Sequence, residues 1–270
     1  MFLEQLAQVP SSTRGPRTRW EEARALHADP VEAVVAAAHG AQTVGELFYA
    51  GYQGAIALLF GDGPPAALLV TEAGGQHPRA LAATVTQGRV SGEKLFVLAD
   101  VDRYHVVVRA GAVGERVDLR VATVAAADPG CDYTPIPSRF LADVPHGRLT
   151  LTDVAAESEH EDAWARYVRP FRGVEDLTVL LAVCAARSHE GEAWLARVAV
   201  LCALARLDPD DPGVVLALAG VRQGIVAEGP ASAPLAVSWA ADSRILDVAA
   251  GARARRLEVA RRAWATVQAR

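Results

Sequence analysis

One change of hydrophobic period constrains this chain more than anything else in it. From Ala66 to Ala110 the apolar residues follow strand rules, while the segments on both sides follow helical ones. A chain ordered as helices, strands and helices, without βαβ alternation, belongs to the α+β class. The same stretch gathers Thr71, Glu72, Gly74, Gly75, Gln76, His77 and Pro78 between two apolar runs, and then Gly92, Glu93, Lys94, Leu95 and Phe96. Glycines beside polar groups between strands mark a place where backbone can approach a ligand closely.

The flanks read as helices by their start and stop signals. Asp29-Pro30 supplies a capping carboxylate and a proline for the first turn, and Val31, Val34, Val35 and Ala38 share a face before Gly40. Thr43 with Glu46 forms a capping box for a helix carrying Leu47, Phe48, Tyr52, Ile56 and Leu59, ended by Gly61 to Pro65. Residues 1–20 are poorly patterned, with a loop at Ser11 to Pro16.

Within the middle, strands are expected at Ala67–Val70, Ala80–Val85, Leu95–Leu98, Tyr104–Arg109, Val117–Val121, Phe140–Val144 and Arg148–Val154, with a loop over Asp128–Pro137. About six or seven short strands at this spacing suit an antiparallel barrel or sandwich. Beyond Glu157, helices follow. Trp164, Val168 and Phe171 share a face, Gly173 marks a break, and Val174 to Cys184 continues. Glu190–Arg206 buries Trp194, Val198 and Leu201, and Asp211-Pro212 starts a helix stopped at Gly229-Pro230. The last helix begins near Asp242 or Ser243 and carries Ile245, Val248, Ala252, Leu257 and Trp264. The division expected is residues 1–63, 64–155 and 156–270.

Composition narrows the function. A formal charge of −5 does not suit a general nucleic-acid binder. No run of about 18 apolar residues suggests a membrane span, and the start lacks a signal pattern, which points to the cytoplasm. Cys131, Cys184 and Cys202 are read as free thiols and not as a disulfide or zinc framework. No zinc, phosphate-loop or serine-elbow motif occurs, and no metal site is expected. The arginines 166, 169 and 172 around Tyr167 and Phe171 are read as neutralised by Glu157, Glu159, Glu161 and Glu175. The arginines of the last helix are read as a solvated face.

Two segments resemble the middle domain of the acyl-CoA dehydrogenase family. Thr71-Glu72-Ala73-Gly74-Gly75-Gln76-His77-Pro78 is similar to that family's Thr-Glu-Pro-Gly-x-Gly-Ser-Asp turn, and Ser91 to Leu98 to its Asn/Ser-Gly-x-Lys-x-Phe/Trp-Ile-Thr segment. Tyr49–Phe60 resembles the helix before the domain, and His146 to Leu151 its closing strands. The resemblance spans about residues 45 to 155. It implies a shortened form of the family's fold: N-terminal helices, a central β domain and a C-terminal helical bundle through which members form homo-oligomers.

It also implies FAD, held near Thr71, Glu72, Gly74, Gly75 and His77, with Phe96, Val97 and Leu98 lining the ring, and an acyl-CoA or similar small molecule as substrate. The family's serine and aspartate are His77 and Pro78 here, and its second hydroxyl is Leu98. No single catalytic base is marked; Glu161, Glu175, Glu190 and Glu192 are the candidates. Three readings stay open: an FAD-dependent oxidoreductase, a catalytically inactive relative acting as a binding or partner subunit without flavin, and an unrelated ligand-binding β domain with a helical cap.

Overall fold

The computed structural model describes residues 15–111, 118–137, 140–247 and 249–269. The calls on Ser11 to Arg14, Val117 and Val248 lie outside them. The chain forms two compact units: Leu59–Phe171, and the residues up to Leu58 together with those from Arg172 onward.

The second of these is helical. Its helices are α1 (Pro16–Leu26), α2 (Pro30–Ala38), α3 (Val44–Phe60), α4 (Arg169–Ala186), α5 (Glu192–Leu204), α6 (Pro212–Ala227), α7 (Ala236–Asp242) and α8 (Ala250–Gln268), with the ends of α3 and α4 reaching into the other unit. The caps act as their residue types predict. Asp29 accepts from Val31 N, Asp211 accepts from Gly213 N and Val214 N, and Thr43 Oγ1 accepts from Glu46 N at 3.1 Å. Glu46 turns its carboxylate to Gln42 N at 2.6 Å, one residue before the expected capping-box partner.

A Cβ added at Gly51 would sit 2.7 Å from Val179 Cα, and one at Gly54 would overlap Val34. These two glycines therefore let α3 lie directly against its neighbours α2 and α4. Buried Leu180, Leu181, Val183 and Cys184 continue that core.

Several expectations are corrected. Residues 16–26 form α1, and Trp20 and Ala23 are its buried apolar face. What anchors it is buried Arg19, donating to Ala37 O and His39 O at the end of α2, an interaction that hydrophobic periodicity does not register. Gly173 does not break a helix, since α4 runs through it. Its Cβ would meet Arg256 Nη2 at 2.7 Å, so the glycine makes room for a guanidinium. Asp242 and Ser243 close α7 and open a 3-10 turn; the last helix starts at Ala250, after Ala249 with φ 59°. Trp264, carried by that helix, is 51% exposed.

The β unit holds one eight-stranded sheet: β1 (Ala66–Leu69), β2 (Thr84–Thr86), β3 (Arg89–Leu98), β4 (Arg103–Ala110), β5 (Asp118–Ala125), β6 (Cys131–Pro135), β7 (His146–Ala155) and β8 (Ser158–His160). The order is β6-β7-β3-β2-β4-β5-β8, with β1 on β4. It is an open path and does not close into a barrel. Most pairs are antiparallel, but β1 and β2 each run parallel to β4.

Strand β6 occupies the expected loop. It is an edge strand with little burial, so it lacks the apolar alternation that marks a strand. Phe140–Val144 is a turn, with Val144 N donating to Leu141 O at 3.0 Å. Only the end of Ala80–Val85 is strand; its start is the 3-10 turn Pro78–Ala80.

An aromatic stack fixes one end of this unit. Phe60 lies between His105 and Tyr167 at centroid distances of 3.9 and 4.6 Å, nearly parallel to both. His105 Nδ1 bonds Thr123 Oγ1 at 2.9 Å. Burial, with help from His160 and Arg103, depresses the His105 imidazole to about 4. A base depressed in the folded state contributes stability that is complete above its unfolded value and is lost as pH falls through 6.5 towards 4. Acid should therefore destabilise the protein by up to about 3 kcal/mol through this group. His105→Phe should flatten that part of the stability curve in urea titrations at stepped pH.

Candidate functional site

The site is built at the end of β1. After Leu69 the chain makes a tight turn in which Glu72 and Gly75 exchange backbone bonds: Glu72 N to Gly75 O at 3.2 Å and Gly75 N to Glu72 O at 2.9 Å. Gly75 has φ +98°, the left-handed region where a side chain is strained. Gly74 packs on Ala80, where a Cβ would lie 3.2 Å from the carbonyl oxygen. Leu95 N donates to Thr71 O at 2.8 Å, tying the turn to β3.

Beneath the turn lies a buried ion pair. Lys94 is fully buried and Glu72 is 6% exposed; Lys94 Nζ meets Glu72 Oε1 at 2.5 Å and donates to Val107 O at 2.6 Å. The other donors to Glu72 are Ala82 N at 2.5 Å and Ala83 N at 3.2 Å. One carboxylate thus joins the turn, the segment before β2, and β3, and through Lys94 it reaches β4. Burial pulls the Lys94 ammonium below its ordinary range, and Glu72 opposes that pull. Gly92, with φ +147°, permits the close passage of Ala83, since a Cβ would stand 2.5 Å from Ala83 Cβ.

The surface above is polar with one large apolar ring. Thr71 Oγ1 accepts from Gln76 Nε2 at 2.7 Å, and among the described residues its own proton has no acceptor. Phe96 sits at an irregularity of β3 against β7 with φ +57°, and 71% of it is exposed. His77 is exposed; its Nδ1 accepts from Arg79 N at 3.2 Å and caps the 3-10 turn. A neutral imidazole that accepts at Nδ1 carries its proton on Nε2.

Of the residues singled out from sequence, Thr71, Glu72, Gly74 and Gly75 form one turn bonded to β3, and His77 follows it. Phe96 is the exposed member of its segment. Val97 and Leu98 are buried in the sheet, paired with Gly147 and His146, so their side chains belong to the core. Sequence reading named Lys94 as part of a motif but did not join it to Glu72. The two are far apart in sequence, and no local pattern links them.

The four glutamates separate clearly. Glu161 and Glu192 are exposed. Partial burial raises Glu190, but hydrogen bonds from Arg187 and Ser232 outweigh it and hold the carboxyl below its ordinary range. Glu175 is half-buried on α4. Burial, reinforced by Asp176 and opposed by Arg172, pushes its carboxyl up to about 7. Glu157 and Glu159 pair with Arg103 and Arg120 on strands, and do not serve the arginines at 166–172 as expected. Among the described residues no cluster of metal-ligating side chains occurs, and no helix is long and apolar enough to cross a membrane.

No family model and no curated protein matches the chain by sequence. Solved structures do. A crystal structure of an FAD-dependent dehydrogenase matches over 91% of this chain and 94% of its own, with TM-score 0.58 and 13% identity. FkbI, described as acting in biosynthesis of the methoxymalonyl extender unit of a polyketide immunosuppressant, matches over 89% and 85%, with TM-score 0.51 and 15% identity. Butyryl-CoA dehydrogenase from Megasphaera elsdenii matches over 84% and 77%, with TM-score 0.49 and 12% identity. The likeness is one of fold, shared with that FAD-dependent dehydrogenase and with FkbI. The first of these matches spans both chains almost end to end.

Proposed function

We propose that this chain is an FAD-dependent oxidoreductase acting on an acyl-CoA or a similar acyl thioester. The observation that carries the reading is the braced turn: a hydroxyl with an unused proton at Thr71, whose carbonyl is held by the N–H of Leu95, the residue before exposed Phe96, on a fold shared with an FAD-dependent dehydrogenase. The donor set suits a flavin. Thr71 and His77 offer hydrogen bonds to ring and phosphate acceptors, Gly74 and Gly75 let backbone come close, and Phe96 offers an apolar plane. Glu72 shapes the turn through Lys94 and does not itself face the ligand. A bound flavin supplies a hydride acceptor.

The residues of the chain orient the acyl group and handle its proton. Of the four candidate glutamates, Glu175 has its carboxyl raised to about 7 by burial, in the range a general base needs. Exposed Val259, Trp264 and Val267 on α8 support homo-oligomerisation through the C-terminal helices. Three unpaired thiols support a cytoplasmic location.

The visible spectrum of the purified protein, with and without added FAD, tests this. A bound flavin should appear and should bleach anaerobically with butyryl-CoA. Thr71→Val should weaken FAD binding on the order of tenfold, the worth of one hydrogen bond. Colourless protein that takes up no FAD overturns the proposal and leaves the inactive binding subunit as the reading.

A further inference from the structure

Within the helical unit, α4, α6 and α8 line a cavity of about 150 Å3. Its apolar wall is made by Val215, Leu218, Ala219, Ala254 and Leu257. Asp176, Arg222, Arg253 and Arg256 complete the lining with Gln223, which is exposed to solvent.

The charged groups of the lining are taken up by one another and by backbone. Arg222 bonds Asp176 and donates to Leu246 O at 2.7 Å. Arg253 donates to the same carbonyl and stands 3.7 Å from Asp176. Arg256 directs Nη2 to Pro209 O at 2.9 Å and Asp210 at 3.4 Å. That nitrogen rests over Gly173, where an added Cβ would come within 2.7 Å of it. Asp247 acts on Arg222 from outside the lining. Three guanidiniums are therefore matched by three carboxylates, Asp176, Asp210 and Asp247. A charged ligand would give up its hydration and meet only groups that are already paired. A neutral apolar molecule has no such hydration to lose, and it gains by leaving water.

We infer that this cavity binds a small neutral molecule with an apolar body of about six carbons. The balance of charge rules out an ionic head, and the aliphatic wall supplies the contact. Size follows from volume, because an apolar cavity of about 150 Å3 takes up benzene. The inference stands apart from the flavin reading, since every residue it uses belongs to the helical unit.

Titration calorimetry on the full chain tests this with toluene and cyclohexane, against benzoate and benzylamine, which carry a similar ring with a negative or a positive charge. Both hydrocarbons should bind saturably at one site per chain, and both ions about tenfold or more weakly. Ala219→Phe and Ala254→Leu, which add bulk at two lining residues, should each weaken toluene about tenfold or more while circular dichroism stays native. If neither variant folds, the comparison of toluene with the two ions decides. Toluene binding that does not saturate, an ion that binds as well as toluene, or wild-type toluene affinity in a folded variant overturns the inference.

Discussion

Lys94→Met should destabilise this protein by about 3–5 kcal/mol, the usual cost of leaving one member of a buried ion pair alone. On the order of 10 °C of melting temperature is at stake for a chain of this size. The ammonium is fully buried and holds both Glu72 and Val107 O. Methionine fills most of the volume but leaves a carboxylate in the sheet with only Ala82 N and Ala83 N as donors. Adding Glu72→Gln should recover at least half of the loss, since the remaining polar group is neutral and still accepts from backbone. Flavin uptake should fall with stability in Lys94→Met and return in the double variant, because the pair shapes the Thr71–Gly75 turn. A Lys94→Met protein that melts with wild type would show that the pair contributes no net stability.

Glu175→Gln should not lower stability, and above pH 7 it should raise it. Burial, reinforced by Asp176, disfavours the ionised carboxyl, so the wild type loses stability as pH rises from about 4.5 through about 7, and glutamine removes that ionisation. Urea titrations at stepped pH should show the wild-type curve falling over that range and the variant's staying flat. Glu190→Gln is the contrast. Its carboxyl already serves Arg187 and Ser232, so that change should cost stability. A Glu175→Gln protein no more stable than wild type at pH 8 would show that burial does not penalise this carboxyl.

Much of the molecule is legible in its sequence because the relevant physics is local. Asp29-Pro30 and Asp211-Pro212 set helix starts within a residue, since capping involves only neighbouring backbone. Valine-rich β4 and the Gly61–Pro65 stop are equally local. Misplaced elements fail for a common reason. Helix α1 rests on Arg19 reaching the end of α2, β6 is a strand only because β7 lies beside it, and Gly173 serves Arg256 from another helix. Each depends on a partner distant in sequence.

The candidate site divides in the same way. Sequence by itself determined the order of helices, strands and helices, and a glycine-bearing Thr71–His77 turn, because these follow from period and backbone preference. Only the tertiary structure decided that Glu72 is a brace bound to Lys94, that Leu98 is core while Phe96 is exposed, and that Glu175 differs from three other glutamates. Burial and charge pairing arise between segments, and a linear pattern does not contain them.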